Sequence, residues 1–345
     1  MADNENKDVE PKKDSKINAF IQKHGKKKLI IGTCGIVAVI VLIVGLSVGL
    51  TTCNKGSGST SSTSSSTTSG TNPTSSSSST ILPEVGCTPV FSSDKSTCTY
   101  GIYPQTYVSN TETIAALNSL NGPVANDYYV YNNSYYTKVE STNINTPSIV
   151  DHLTFSDGST IVNGQTYWFK CEPITWKVIK SSNDEYTLLS SLLLDGHIIS
   201  VSDTYDYSIS EMRTWLNDSF YNKAFGLSNI QDSYIQTTEV DNSASTTGSG
   251  STAFYCDNTF DKVYLPSYRD MMFNFGFNTT SDRICNNTDY LKANGGYCET
   301  NNNTYYWTRS PYMPGYFSMV DNDGSLRYMD GTNKLAVRPI INIKL

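Results

Sequence analysis

Apolar and polar positions divide the chain into stretches of different pattern. Residues 29–50 read LIIGTCGIVAVIVLIVGLSVGL, a run with no charge and no proline. At its rise per residue, a helix of that length spans about 33 Å, enough for the hydrocarbon core of a bilayer. A soluble core helix would interrupt the run with polar residues along one face. The pattern therefore predicts a single transmembrane helix at 29–50. Residues 51–83 follow as a Ser/Thr/Gly-rich stretch with almost no apolar side chain to offset the entropy of ordering, and predict a flexible linker. Aromatic and aliphatic positions return from about 84, and 84–345 is long enough for one large core.

Within that last stretch the pattern alternates between strand and helix periods. Residues 167–180 read as two short strands around Pro173, with Ile174, Trp176 and Val178 on one face. Asn183-Asp184 supplies a hairpin turn into a buried strand over 185–194. Ser208-Ile209-Ser210-Glu211 has the spacing of a capping box, and Met212, Trp215, Leu216, Phe220 and Ala224 follow at helical spacing. A strand over 260–265 leads to Ser267-Tyr268-Arg269-Asp270, which repeats the capping logic for a second helix to about Phe275. The C-terminal third reads as strand and turn. One strand covers 305–309, and strands at 317–320 and 326–329 flank Asp321-Asn322-Asp323-Gly324, which has Asp-Gly hairpin chemistry. A last strand covers 335–345.

Charge sharpens the picture. Residues 1–55 carry nine Lys against five acids, and the formal net charge of -7 therefore leaves the remainder at -11. Lys23, Lys26, Lys27 and Lys28 precede the apolar run, which predicts a basic cytoplasmic tail at 1–28 and an extracellular domain at 84–345. A cleaved signal peptide has a shorter apolar region and a shorter basic start. Leu50-Thr51-Thr52-Cys53 resembles a bacterial lipobox, so a lipoprotein anchored at Cys53 is the alternative. The acidic balance excludes a nucleic-acid binder, which needs a basic stripe. Outside a membrane, Cys87, Cys98, Cys171, Cys256, Cys285 and Cys298 permit three disulfides among fifteen pairings, with loop length favouring Cys87–Cys98 and Cys285–Cys298 and leaving Cys171–Cys256. Zinc is disfavoured, because no Cys-x-x-Cys spacing or Cys/His cluster occurs.

Seven blocks then occur in a distinctive order. They are Tyr100-Gly101-Ile102-Tyr103-Pro104-Gln105, Ile174-Thr175-Trp176-Lys177-Val178, Leu188-Leu189-Ser190, Met212-Arg213-Thr214-Trp215-Leu216-Asn217, Asp261-Lys262-Val263-Tyr264-Leu265-Pro266-Ser267, Trp307-Thr308-Arg309-Ser310-Pro311 and Val337-Arg338-Pro339. Together they resemble the DUF6273 family, an uncharacterised bacterial extracellular domain, over about 100–345. Thr308 departs from the commoner Leu of its block. The Leu-Pro-Ser, Trp-x-Arg-Ser and Val-Arg-Pro segments are also similar to C-type-lectin-like domains of the formylglycine-generating type. That similarity implies an α+β fold, a twisted antiparallel sheet with two main helices; it is a likeness of fold and does not establish activity.

Candidate chemistry is sparse. His152 and His197 lie far apart, and no Gly-x-Ser-x-Gly elbow or Gly-rich phosphate loop is present. An oxidase of the formylglycine-generating kind would need a reactive Cys pair, for which Cys285 and Cys298 are the candidates. Asp321 and Asp323 place oxygens at alternating positions, the pattern a calcium ion would take, although Thr332 stands where an EF-hand needs Glu. Aromatic residues are the best functional signal. The chain has 24 Tyr against 12 Phe, clustered at 128–136 and around Trp307. Tyr305, Trp307, Arg309, Tyr312 and Tyr316 are the candidate ligand-binding residues, because rings stack on sugars or apolar surfaces while polar groups hydrogen-bond. The expected function is a membrane-anchored surface protein. Its non-enzymatic binding or adhesion domain would face a glycan, a wall polymer or a protein, with an enzyme of the formylglycine-generating or wall-hydrolase class, or a structural surface component, as alternatives.

Overall fold

The computed structural model describes residues 82–142, 151–248 and 254–345. The tail at 1–28, the apolar run at 29–50, Cys53 and the linker up to residue 81 lie outside the described residues. No helix among the described residues is long and apolar enough to cross a membrane. The expected α+β arrangement is corrected. Among the described residues sheet predominates over helix, with 37% strand and 19% helix.

A first sheet opens with β1 (Val90–Phe91), β2 (Thr97–Tyr107), β3 (Tyr129–Tyr131), β4 (Ser134–Glu140), β5 (Thr166–Ser182) and β6 (Glu185–Ser190). Strand β5 is one continuous element, not two strands around Pro173. The reason is positional. On one flank β4 pairs with β5 up to Cys171 and β6 begins to pair at Trp176, so the missing N–H of Pro173 falls in the gap between them. On the other flank β2 shifts register between Thr99 and Ile102, around Gly101 at φ 69°. Asn183 and Asp184 both take positive φ, the turn that matches strand twist, and join β5 to β6 as expected.

The chain then passes to a second sheet through β7 (Leu192–Leu193) and β8 (Asp195–His197). The expected strand at 185–194 is thus broken at Ser190, where the chain leaves the first sheet and β7 pairs instead with Asn286 and Asn287. Two helices were expected next, and both are altered. The first runs Glu211–Trp215, continues as a π turn Leu216–Phe220 and ends Tyr221–Phe225. Its cap is Ser210, whose Oγ accepts from Arg213 N at 3.2 Å, while Ser208 is engaged in a tight turn capped by Asp206. The π turn lets Asn217 clasp a strand edge. Its Oδ1 accepts from Lys262 N and Val263 N, and its Nδ2 donates to Val263 O. Within Trp215-Leu216-Asn217-Asp218, Leu216 is thus core and Asn217 a strand clasp. The second expected helix has its reciprocal cap, Asp270 N to Ser267 Oγ at 3.0 Å and Ser267 N to Asp270 Oδ2 at 2.8 Å. Residues 268–274 are helical, close to the expected span, but most of the stretch is a π turn, Asp270–Asn274, stopped before Gly276 at φ 69°.

Between and after these helices come β9 (Thr238–Val240), β10 (Thr259–Asp261), β11 (Val263–Tyr264), β12 (Asn286–Asn287), β13 (Tyr306–Met313), β14 (Tyr316–Val320), β15 (Leu326–Asp330), β16 (Leu335–Val337) and β17 (Ile340–Lys344). The first sheet has the order β1-β2-β5-β6-β17-β11, with β4 beside β5 and β3 beside β4; the second is β15-β14-β13-β16-β8. The expected last strand is two strands. It leaves the second sheet at Val337 and enters the first at Ile340, with Arg338 and Pro339 between. Arg338 fixes this crossing: its Nε donates to Ser190 O and its Nη1 to Arg283 O and Tyr306 Oη, all buried.

Aromatic side chains fill the interior. Trp176, Trp307, Tyr100, Tyr103, Tyr128 and Tyr135 are fully buried. Buried ring heteroatoms find carbonyls, as Trp176 Nε1 does at Tyr100 O and Tyr128 Oη at Lys223 O. Part of the tyrosine excess at 128–136 is therefore core and not recognition surface.

Candidate functional site

The hairpin β14–β15 fixes the site. Its loop closes through Asp321 N to Ser325 O and Gly324 N to Asp321 O, with Gly324 at φ 79°. A side chain at Gly324 would meet Thr280 O at 1.8 Å, so only glycine fits. This closure sets Ser318 opposite Tyr328 and Tyr316 opposite Asp330. Successive side chains of a strand alternate between faces, so Tyr316, Ser318, Leu326 and Tyr328 share one face while Phe317 packs in the core on the other.

On that face lies a cleft of about 500 Å³ lined by Tyr268, Tyr312, Ser318, Leu326, Arg327 and Tyr328. Tyr312 reaches it from the end of β13, where two register shifts re-aim the strand. Its ring lies flat on Tyr328, with centroids 4.0 Å apart and planes at 6°. Tyr316 meets Tyr328 edge-on at 6.4 Å. Tyr268 enters from the turn before Asp270, which is docked on β13 by Tyr268 N donating to Ser310 Oγ at 2.8 Å. Burial, then the neighbouring Tyr328, pushes the Tyr312 phenol up, so it stays a neutral hydroxyl.

Ser318 is the unusual member. It is 1% exposed, and its Oγ has no hydrogen-bond partner. A buried hydroxyl without a partner loses about 1–3 kcal/mol of solvation. Arg327 alternates to the other face of β15 from Tyr328, opposite Met319; it is held by Asp321 Oδ2 and lies 3.6 Å from Asp323 Oδ2. The two acids that suggested calcium are therefore counter-ions to an arginine. Among the described residues no group of three or more His, Cys, Asp or Glu is placed to hold a metal ion.

The other expected ligand-binding residues are placed differently. Trp307 is fully buried and donates from Nε1 to His197 O at 2.9 Å. Arg309 is 3% exposed; it pairs with Asp270 Oδ2 at 3.0 Å and donates to Leu265 O and Asp241 O. It staples β13 to the Ser267–Asp270 turn. Tyr305 stacks on Tyr297 at 5.2 Å. Of the expected set, the structure brings only Tyr312 and Tyr316 together. Tyr268, Ser318 and Tyr328 were missed. The hairpin register carried the signal for the last two, because it places them face to face.

The expected disulfides are also corrected, as all six described cysteines are free thiols. Each sulfur sits in its own surroundings. Cys98 lies opposite Trp176 on β5, Cys171 opposite Pro104 and Tyr135, and Cys285 Sγ donates to Ser191 O at 3.4 Å. Burial pushes the Cys98 and Cys298 thiols up to about 12 and the Cys256 thiol to about 11, which removes them as nucleophiles.

Residues 183–345 match the family model for DUF6273, a domain of unknown function. The match begins at the turn into β6 and covers the whole second sheet and its cleft. No curated protein and no solved structure matches the chain.

Proposed function

We propose that this DUF6273 domain is a non-enzymatic binding module whose tyrosine cleft takes a neutral polyhydroxylated ligand, a glycan or a wall polymer. The observation that carries the reading is the flat Tyr312–Tyr328 pair beside the unpartnered hydroxyl of Ser318. Stacked rings offer an apolar platform for the C–H face of a sugar, and a buried hydroxyl supplies the directional contact that fixes orientation. A ligand hydroxyl would satisfy Ser318 Oγ and recover the solvation it has lost. The lining supports a neutral ligand: apart from Arg327, which Asp321 and Asp323 compensate, it carries no charged side chain.

A glycan array probed with the full chain and with Tyr328→Ala tests the reading. Specific glycans retained by the wild type and lost by the variant are expected. An array on which the two proteins give the same pattern would contradict it.

A further inference from the structure

We propose that the cleft beneath Trp215 is a second ligand site, built for a small hydroxylated carboxylate of the uronic-acid class. It lies at the opposite edge of the second sheet from the tyrosine cleft, since β8 and β15 are the two edge strands. Its volume is about 320 Å³, and Asp195, Gly196, His197, Ile198, Trp215, Asn294 and Lys334 line it. That volume suits one small molecule.

The donors and acceptor are arranged by the fold. His197 Nδ1 lies 2.8 Å from Ile198 O. A carbonyl can only accept, so Nδ1 carries the hydrogen and Nε2 presents a lone pair. Burial lowers the proton affinity of the imidazole, which keeps that lone pair open at neutral pH. The ring lies nearly flat on Trp215, with centroids 4.6 Å apart and planes at 20°. Asp195 is buried, and its oxygens are spent on Tyr103 Oη at 2.5 Å, Gly196 N at 2.7 Å and Asn294 Nδ2 at 2.8 Å. It therefore holds the Asn294 amide in place, with the second N–H of that amide still to be used. Lys334 Nζ donates to Asn294 O and takes part in none of the seven ion pairs among the described residues.

The close approach that gathers these groups depends on glycine. A side chain at Gly196 would stand 2.7 Å from Gly296 Cα, so β8 could not lie against the segment carrying Asn294. The cleft is thus lined by an ammonium and an amide that both belong to the Asn294 corner, an acceptor nitrogen and an indole, with the Asp195 carboxylate already hydrogen-bonded. The two donors match a carboxylate, the imidazole nitrogen matches a neighbouring hydroxyl, and the rings match the C–H face of a sugar.

Tryptophan fluorescence reads this site, because Trp215 lines it half-buried and Trp307 donates to His197 O, while Trp168 and Trp176 are buried elsewhere. The full chain is titrated with sodium glucuronate, glucose and sodium acetate at constant ionic strength. Glucuronate is expected to give a saturable change, with glucose and acetate much weaker. Lys334→Met is expected to weaken glucuronate about tenfold or more, and Lys334→Arg less, since charge is kept. Tyr328→Ala, in the other cleft, is expected to leave the titration unchanged, so failure here and failure of the glycan reading are distinguishable. Equal responses to glucuronate and glucose, acetate binding as well as glucuronate, no saturable change, or Lys334→Met matching the wild type would each overturn the proposal.

Discussion

Ser318 and Tyr328 face each other across neighbouring strands, one as a buried hydroxyl without a partner and the other as a ring nearly half exposed at 48%. The pair joins a polar contact to an aromatic platform at one point of the sheet, and the closure of the Asp321–Gly324 loop holds it there.

That closure is testable at Gly324. Its positive φ and the nearby Thr280 carbonyl leave no room for a side chain. Gly324→Ala should destabilise the protein by about 1–3 kcal/mol in urea unfolding. A change within about 0.5 kcal/mol would show that the loop rebuilds freely.

Arg309 should behave as a strut and not as a ligand contact. Removing one partner of a buried ion pair costs about 3–5 kcal/mol, and Arg309→Met leaves Asp270 buried without its guanidinium. Chemical unfolding should show a loss of that size, whereas Tyr312→Ala, at a half-buried ring, should cost less. Equal losses would mean that Tyr312 is structural.

The same pair predicts the acid limit. Burial pushes the Asp270 carboxyl up, but Arg309, Asn274 and the Ser267 N–H outweigh it, so the folded group sits below its ordinary value. A carboxyl depressed in the folded state contributes stability above its unfolded value, about 3.9, and loses it as pH falls through the lower folded value. Unfolding free energy should therefore decline below about pH 4, and the Asp270→Asn variant should show a shallower decline. Identical pH profiles would contradict the assignment.

Six free thiols make a mass prediction. After denaturation without reductant, Cys87, Cys98, Cys171, Cys256, Cys285 and Cys298 should all take an alkylating label, detected by peptide mass spectrometry. In the native protein Cys98, Cys171, Cys285 and Cys298 should react slowest, being buried. A linked peptide pair among the six would restore the disulfide reading.

Much of this architecture was legible in the residues. The Asn183-Asp184 turn, the Ser267–Asp270 cap and the Asp321–Gly324 hairpin each carry local chemistry that tertiary packing did not override. What the residues hid was non-local. Pro173 looks like a strand break until the neighbouring strands leave a gap beside its nitrogen. Residues 335–345 read as one strand, because nothing local says that Arg338 turns the chain between sheets. Trp307 and Arg309 read as recognition residues because tyrosines cluster around them in sequence, but β13 is buried on both faces there, which only the strand's tertiary partners determine. Tyr312 and Tyr316 were legible as members of one aromatic cluster, but their ring partner Tyr328 emerges only from hairpin register.

The most direct test of the binding account is calorimetry of Ser318→Ala with a glycan selected on the array, alongside its urea unfolding. The account predicts that affinity falls about tenfold while stability holds or rises, since the variant removes a hydroxyl that nothing in the folded protein satisfies. Unchanged affinity would contradict it.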